Sequence, residues 1–364
     1  MTYLRPLLLL KTRRQRALLA CSLGLPLLGC VPDFDDNTSQ IETLRVLAIH
    51  ADPAEPAPGE AVQLVALVAS DETESPTTLS WSLCTARRPP TEAGPVAQKC
   101  LTDFGSESDA LTALGEGENV DLSIPADSCR RFGPLPPPVE GNETVSGQPA
   151  APDQTGGYYQ PVVVGFSDEP TAPTLGSVRL LCGGANVPQE ELVKFNSGYR
   201  PNQNPEVAEV TAQLIDDEGG EGKELDWTDG IVAGAEVDWT IHWAECPEQA
   251  ECGDGLCTAG ENATLCADDC RTEPVVGCTG AETYLLADPV SKTVVEQRED
   301  IEVSWYATAG TFDLSTTDND DVVTSSTNRW VAPTEPGQVK LWFVVRDSRR
   351  GTTWKNLTVN VVAE

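Results

Sequence analysis

The sequence predicts an all-β protein built as two β-sandwiches in tandem, the second carrying an inserted disulfide-rich module. Three observations carry that reading. Short Val-rich runs, several with strict apolar/polar alternation, are separated by turns drawn from 28 Pro and 30 Gly. A succession of phrases in the first half returns, in order, in the second. Six of the 12 cysteines fall in one short stretch of the second half, too short to bury a core of its own.

Residues 1–29 contain Arg5, Lys11, Arg13, Arg14 and Arg16 and no acidic residue, and an apolar run of 12 residues follows from Ala17 to Leu28. A basic start and a short apolar stretch describe a secretory signal. The run falls short of the roughly 20 residues that a membrane-spanning helix needs. Leu27-Leu28-Gly29-Cys30 then offers a cleavage and lipidation box at Cys30. Leu18-Leu19-Ala20-Cys21 is a rival, but only Ala17 to Ala20 would separate it from the arginines. Each buried methylene contributes about 0.8 kcal/mol, so one acyl chain holds marginally and several hold almost permanently. Arg13-Arg14 leaves a twin-Arg export route open. Residues 30–43, acidic and polar, read as a lipidated tether.

Without its signal the chain carries 57 acidic side chains against 19 basic ones, a net of −38. That excludes nucleic acid as a partner, because its binders need a positive footprint. It equally excludes electrostatic docking on anionic lipid, leaving the acyl chains to hold the membrane. Cys21 leaves with the signal and Cys30 takes lipid. The remaining ten, Cys84, Cys100, Cys129, Cys182, Cys246, Cys252, Cys257, Cys266, Cys270 and Cys278, are an even set in an exported protein, enough for five disulfides.

The first sandwich, residues 44–200, opens with Leu44 to Ile49, a turn at Asp52-Pro53 to Gly59, and Val62 to Val68, apolar on both faces. Leu79, Trp81 and Leu83 alternate onto one face. An inward Trp on the third strand is what an immunoglobulin-like sandwich uses to fill the space between its sheets. From Arg87 to Gln160 repeated prolines and glycines leave one long excursion with a single strand, Asn119 to Ile124. Strands resume at Pro161 to Phe166 and Ser177 to Cys182. Four cysteines staple the excursion; three pairings are open, of which the most local is Cys84–Cys100 with Cys129–Cys182.

Asn202-Gln203-Asn204-Pro205 marks the joint to the second sandwich, residues 201–364. Gly234-Ala235-Glu236-Val237 echoes Gly59-Glu60-Ala61-Val62. Val237, Trp239, Ile241 and Trp243 then face inward, with Asp238, Thr240 and His242 outward. From Val62 to Trp81 is 19 residues and from Val237 to the equivalent Trp305 is 68, so 49 extra residues lie between the second and third strands. They hold the cysteine module, residues 246–278, with Cys246 and Cys278 placed to close its neck. The sandwich finishes through Trp330-Val331-Ala332-Pro333, Val339 to Val345 and Leu357 to Val361.

Leu44-Arg45-Val46-Leu47-Ala48, Ala51-Asp52-Pro53, Pro58-Gly59-Glu60, Trp305 to Gly310 and Trp330 to Pro333 resemble phrases of bacterial envelope lipoproteins with immunoglobulin-like domains. Cys252-Gly253-Asp254-Gly255 and the closing Asp269-Cys270 resemble the myxobacterial-type cysteine-rich repeat. The resemblance implies three acyl chains on Cys30 and, since Val31 rather than Asp follows it, the outer membrane. It implies location and architecture but no activity, and it supplies no functional residues.

Asp254, Glu261, Asp268 and Asp269 in the module are the candidate metal ligands. Their oxygens beside a tight Gly turn suit calcium, although the EF-hand spacing is absent. Zinc would want paired Cys/His, and the module has no His and no CxxC pair. Asp313, Asp318, Asp320 and Asp321 form a second acidic loop, read as a solvated turn. No catalytic signature for a nucleophilic Ser, a zinc peptidase, a phosphate loop or a dinucleotide site is present. His50 and His242, the only histidines, sit at a strand end and on a polar strand face. The expected function is non-enzymatic display of immunoglobulin-like domains for adhesion, scaffolding or ligand binding, with an unidentified protein or glycan partner and no cofactor beyond calcium. A carbohydrate-binding accessory role would use exposed aromatics, with Tyr158, Tyr159 and Trp227 as candidates. A hydrolase with an unrecognised acidic pair ranks last.

Overall fold

In the computed structural model the described residues are 38–71, 78–133, 157–182, 187–215, 222–247, 251–258, 261–271, 277–288, 290–319 and 323–363. Cys30, the signal, the tether as far as residue 37, Asp320 and Asp321 lie outside them. Among the described residues no helix is long and apolar enough to cross a membrane.

The first sandwich contains β1 (Arg45–Asp52), β2 (Ala61–Ala69), β3 (Leu79–Cys84), α1 (Lys99–Thr102), β4 (Leu111–Glu116), β5 (Asn119–Ser123), α2 (Ser128–Phe132), β6 (Tyr158–Phe166) and β7 (Glu169–Leu180). One sheet runs β1-β2-β5 and the other β4-β3-β6-β7. After α3 (Gln189–Gly198) the second sandwich follows: β8 (Val207–Leu214), β9 (Lys223–Glu224), β10 (Ile231–Val232), β11 (Glu236–Trp243), β12 (Thr283–Ala287), β13 (Val294–Arg298), β14 (Ile301–Ala307), β15 (Thr311–Phe312), β16 (Thr316–Asn319), β17 (Ser325–Val331), β18 (Gly337–Asp347) and β19 (Thr352–Val362). Its sheets run β9-β8-β11-β17-β15 and β10-β19-β18-β14-β16.

Leaving aside the separate β12–β13 hairpin and the two-residue strands, both sandwiches have the same order. First, second and fifth strands make one sheet; fourth, third, sixth and seventh make the other. This is an immunoglobulin-like arrangement in which the fourth strand lies on the sheet of the third and sixth instead of with the first, second and fifth. The echo between the halves is therefore a repeat of topology. Trp81 and Trp305, both on third strands, are buried between the sheets. Their indole N–H groups donate to neighbours on the fourth-strand side, Gly117 O at 2.8 Å and Thr317 Oγ1 at 2.9 Å. In the second sandwich the centre is aromatic: Phe343 on β18 lies 5.7 Å from Trp239 on β11 and 5.2 Å from Trp305. That pair joins second and sixth strands where antibody domains place their inter-sheet disulfide.

The excursion of the first sandwich holds more structure than its sequence signals. β4 is a strand the sequence analysis leaves as loop, because Leu111 and Leu114 are only half-buried and the alternation is lost. Cys84 bridges to Cys100 in α1, and Cys129 in α2 to Cys182 just after β7. The 49-residue surplus of the second sandwich lies between β11 and β14, and besides the cysteine module it contains the β12–β13 hairpin. The sequence analysis misses that hairpin, and also α3, which packs on it through Phe195, Leu285, Ala287 and Val294. The helix that closes residues 44–200 is thus seated on the insertion of the second sandwich.

Two sets of contacts join the sandwiches. Ala48, Leu67 and Ala69, on the outer face of β1 and β2, cluster with Trp342 and Val344 on the outer face of β18. Ile41 completes that cluster and is 1 % exposed. Its N–H donates to Ala307 O at 2.8 Å, and Ala307 N–H donates to Ser39 O at 2.9 Å. Residues 39–41 therefore pair with β14 just beyond Ser304, where its pairing with β16 ends. The last part of the expected tether, 38–43, is docked chain.

The second set is polar and buried. Arg349, between β18 and β19, is 0 % exposed. Its guanidinium donates to Glu282 and, at 2.6 Å, to Glu299 Oε1. The joint segment threads this cluster: Asn202 N–H donates to Glu55 Oε2 at 2.9 Å and its side-chain amide donates to Asp347 at 3.1 Å. Glu55 also accepts from Tyr199 Oη at 2.6 Å and pairs with Arg179 at 3.2 Å. Burial pushes the carboxyls of Glu282, Glu299 and Asp347 up, Glu282 to about 7, even though Arg349 pulls each of them down.

Candidate functional site

The cysteine module owes its shape to three disulfides. Cys246–Cys278 closes the neck where the chain leaves β11 and returns toward β12, and Cys252–Cys266 and Cys257–Cys270 cross-link the head. Gly253 and Gly255 take φ of +100° and +86°, values at which any side chain would be strained. The turn they make is held from the far end of the module. Asp269 accepts from Gly253 N–H at 2.5 Å and from Gly255 N–H at 3.1 Å, while Asp254 Oδ1 accepts from Leu256 N–H at 2.8 Å.

This folding brings three of the four expected metal ligands together. One carboxylate oxygen each from Asp254, Glu261 and Asp269 lies within 4.8 Å of the others. Asp268 is exposed and outside the group; adjacent in sequence to Asp269, it does not share its direction. Asp313 and Asp318 are exposed and form no such cluster among the described residues. Glu261 is 0 % exposed and Asp269 is 4 % exposed, whereas Asp254 forms the open side of the group.

Glu261 is the anomaly. Its Oε2 accepts from Thr258 N–H at 2.8 Å, but its Oε1, also buried, has no hydrogen-bond partner among the described residues. Buried Thr258 Oγ1 is likewise without one among them. A buried carboxylate oxygen without a partner is costly. At an effective dielectric of about 20, two like charges 4.8 Å apart repel by about 3 kcal/mol. A compensating charge comes from Arg200, half-buried on the joint segment, which the sequence analysis does not single out. Its Nε donates to Cys257 Sγ at 2.9 Å, and its guanidinium feels the charge of Glu261 without forming an ion pair with it. Burial lowers the pKa of Arg200, and Glu261 partly restores it.

The six module cysteines are all oxidised, so no thiolate is available to zinc. What remains is oxygen chemistry. The aromatic candidates do not form a platform for a sugar ring. Tyr159 is 2 % exposed and its hydroxyl accepts from Arg179 at 3.0 Å. Tyr158 is half-buried beside it, and Trp227 packs against Trp239 at 5.4 Å in the other sandwich. His50 lies at the interface, its Nδ1 2.5 Å from Thr352 O, and His242 Nε2 is 3.2 Å from Thr211 Oγ1.

No family model matches the chain, and no curated protein matches it. Among solved structures, the D0-D1 domain of intimin is similar over 86 % of this chain and 98 % of that one, at 12 % identity and a TM-score of 0.20. The D00-D0 domain of intimin is similar over 88 % and 98 %, at 10 % identity and a TM-score of 0.20. The adhesin InvE of Yersinia pseudotuberculosis is similar over 87 % and 59 %, at 9 % identity and a TM-score of 0.20. The immunoglobulin assignment rests on the strand order of the two sandwiches.

Proposed function

We propose that this chain is an outer-membrane lipoprotein without enzymatic activity, acylated at Cys30, which displays two immunoglobulin-like sandwiches and a cysteine module to a partner in adhesion or scaffolding. The observation that carries the reading is the pairing of the cysteines. All ten beyond Cys30 are joined to one another in five disulfides. Such a set belongs to an oxidising compartment and leaves Cys30 no partner in the mature chain. Gly29 before Cys30 and the basic, short-apolar leader support lipid as the fate of that thiol. With a net charge of −38 after the leader, acyl chains are the means of attachment that the composition leaves.

Intact-mass and peptide analysis of the protein purified from membranes tests this. The expected result is an N-terminus at Cys30 carrying three acyl chains, with Cys30→Ala moving the protein to the soluble fraction. An unmodified Cys30 thiol, or membrane retention of Cys30→Ala, overturns the anchoring. Reproducible turnover of esterase, protease or glycosidase substrates by the purified protein overturns the non-enzymatic reading.

A further inference from the structure

We infer that the cysteine module is a calcium site, with Asp254, Glu261 and Asp269 as its protein ligands. Two independent observations carry this. The first is the convergence of three carboxylates from separate parts of the module, within 4.8 Å of one another. The second is Glu261 Oε1: it is fully buried, belongs to a residue of that group, and has no hydrogen-bond partner among the described residues. A buried carboxylate oxygen in this state has two ways to be satisfied, a proton or a cation. Asp254 and Asp269 alongside it disfavour leaving three negative charges together and favour a divalent ion.

The chemistry of the donors selects the ion. All are carboxylate oxygens, the ligands of hard cations, and the sulfurs nearby are spent in disulfides. Calcium accepts irregular oxygen sets of six to eight, whereas magnesium demands a near-ideal octahedron. Here three carboxylates would be completed by water on the open Asp254 side. Asp269 keeps its bonds to Gly253 and Gly255, since each oxygen has a second lone pair. It would therefore couple ion binding to the Gly turn. Arg200 lies close enough to feel Glu261, which weakens the site and sets the expected Kd in the range of about 0.1–1 mM found in extracellular modules.

The test is isothermal titration of calcium chloride into the full-length protein in detergent, freed of divalent ions by chelation. Because a chain of net charge −38 after its leader attracts cations diffusely, the titration is run at about 0.15 M salt, where such attraction is screened. One saturable site is expected, with magnesium at least tenfold weaker. Asp254→Asn, on the open side of the site, and Glu261→Gln, which keeps an acceptor for Thr258 N–H, should each weaken calcium at least tenfold. Asp268→Asn should leave it within twofold. Disulfide mapping of each variant verifies that all five bridges form. No saturable binding by the parent overturns the site and leaves Arg200 as the counter-charge of Glu261. Equal weakening by Asp268→Asn and Asp254→Asn overturns it in favour of a diffuse ion atmosphere.

Discussion

Arg349→Met offers a direct test of the buried charge cluster beside the joint. The arginine is completely buried and is shared by Glu282 and Glu299, with Asp347 two residues away and Tyr284 under its face at 4.7 Å. Removing one member of a buried charge cluster typically costs about 3–5 kcal/mol, because the remaining charges stay buried without compensation. The cost should depend on pH. Without Arg349 the two glutamates must hold protons. Keeping neutral a carboxyl whose ordinary pKa is 4.5 costs about 5 kcal/mol at pH 8 and about 1.4 kcal/mol at pH 5.5.

The parent should carry part of this dependence itself. Its Glu282 titrates at about 7, raised above 4.5. A raised acid contributes stability that is fully present below its unfolded pKa and is lost as pH rises through the folded one. The parent should therefore lose up to about 3 kcal/mol between pH 4.5 and 7.5 from Glu282 alone. Above pH 7 that loss is complete in the parent and continues in the variant, so the gap between them should widen by about 1–3 kcal/mol from pH 5.5 to pH 8. Urea unfolding followed by tryptophan fluorescence at the two pH values measures it. Arg349→Lys, which keeps the charge, should lose less than Arg349→Met at pH 8. A loss below about 1 kcal/mol at pH 8, or one that does not change with pH, would refute the assignment of Arg349 as the counter-charge of the joint.

Other consequences are open to measurement. Ile41→Ala, at a 1 % exposed position between the sandwiches, should cost about 2–4 kcal/mol and open residues 38–43 to protease; unchanged protection would mean that the docked segment is marginal. Replacing Cys246 and Cys278 together by Ser opens a loop of sequence separation 32, worth about 4 kcal/mol of chain entropy. Proteolysis should then cut within 246–278 while both sandwiches persist, and uncut protein would show that the neck is held by other contacts. Trp305→Phe removes the donor to Thr317 Oγ1 and part of the ring volume, with an expected cost of about 1–3 kcal/mol; a neutral effect in thermal unfolding would mean that the aromatic centre repacks.

The elements readable in the sequence are those whose burial follows one strict period. β11 alternates between buried and half-buried residues from Val237 to Trp243, and its inward set is the one the alternation names. The same holds for Leu79, Trp81 and Leu83 in β3. Where burial comes from an irregular partner, the period fails. β12 and β13 form a two-stranded sheet apart from the sandwiches, covered by a helix from the other end of the joint, so no single face carries the pattern. At the candidate site the sequence singles out the three carboxylates that converge but does not separate Asp268 from Asp269. That distinction depends on which aspartate the Gly253–Gly255 turn meets, and this is fixed by the crossing of Cys252–Cys266 and Cys257–Cys270. Arg349 carries no signal in the sequence, because an arginine in a Ser348–Gly351 turn ordinarily marks solvent.

The joint determines how independent the two sandwiches are of each other. Two similar sandwiches on a Pro-rich linker would be expected to move against each other. Here the linker is itself buried structure: Asn202 is 1 % exposed and bonded to Glu55 from the first sandwich and Asp347 from the second. An apolar contact between two sheet faces lies alongside, and Ile41 is packed into it. Residues 39–41 therefore lie at the seam between the sandwiches, held by the Ile41–Ala307 pairing. Arg200 extends the same network outward, its carbonyl accepting from Arg349 and its guanidinium lying on the Cys257–Cys270 bridge. One residue thus connects the buried charges beside the joint to the module that carries the candidate ion site.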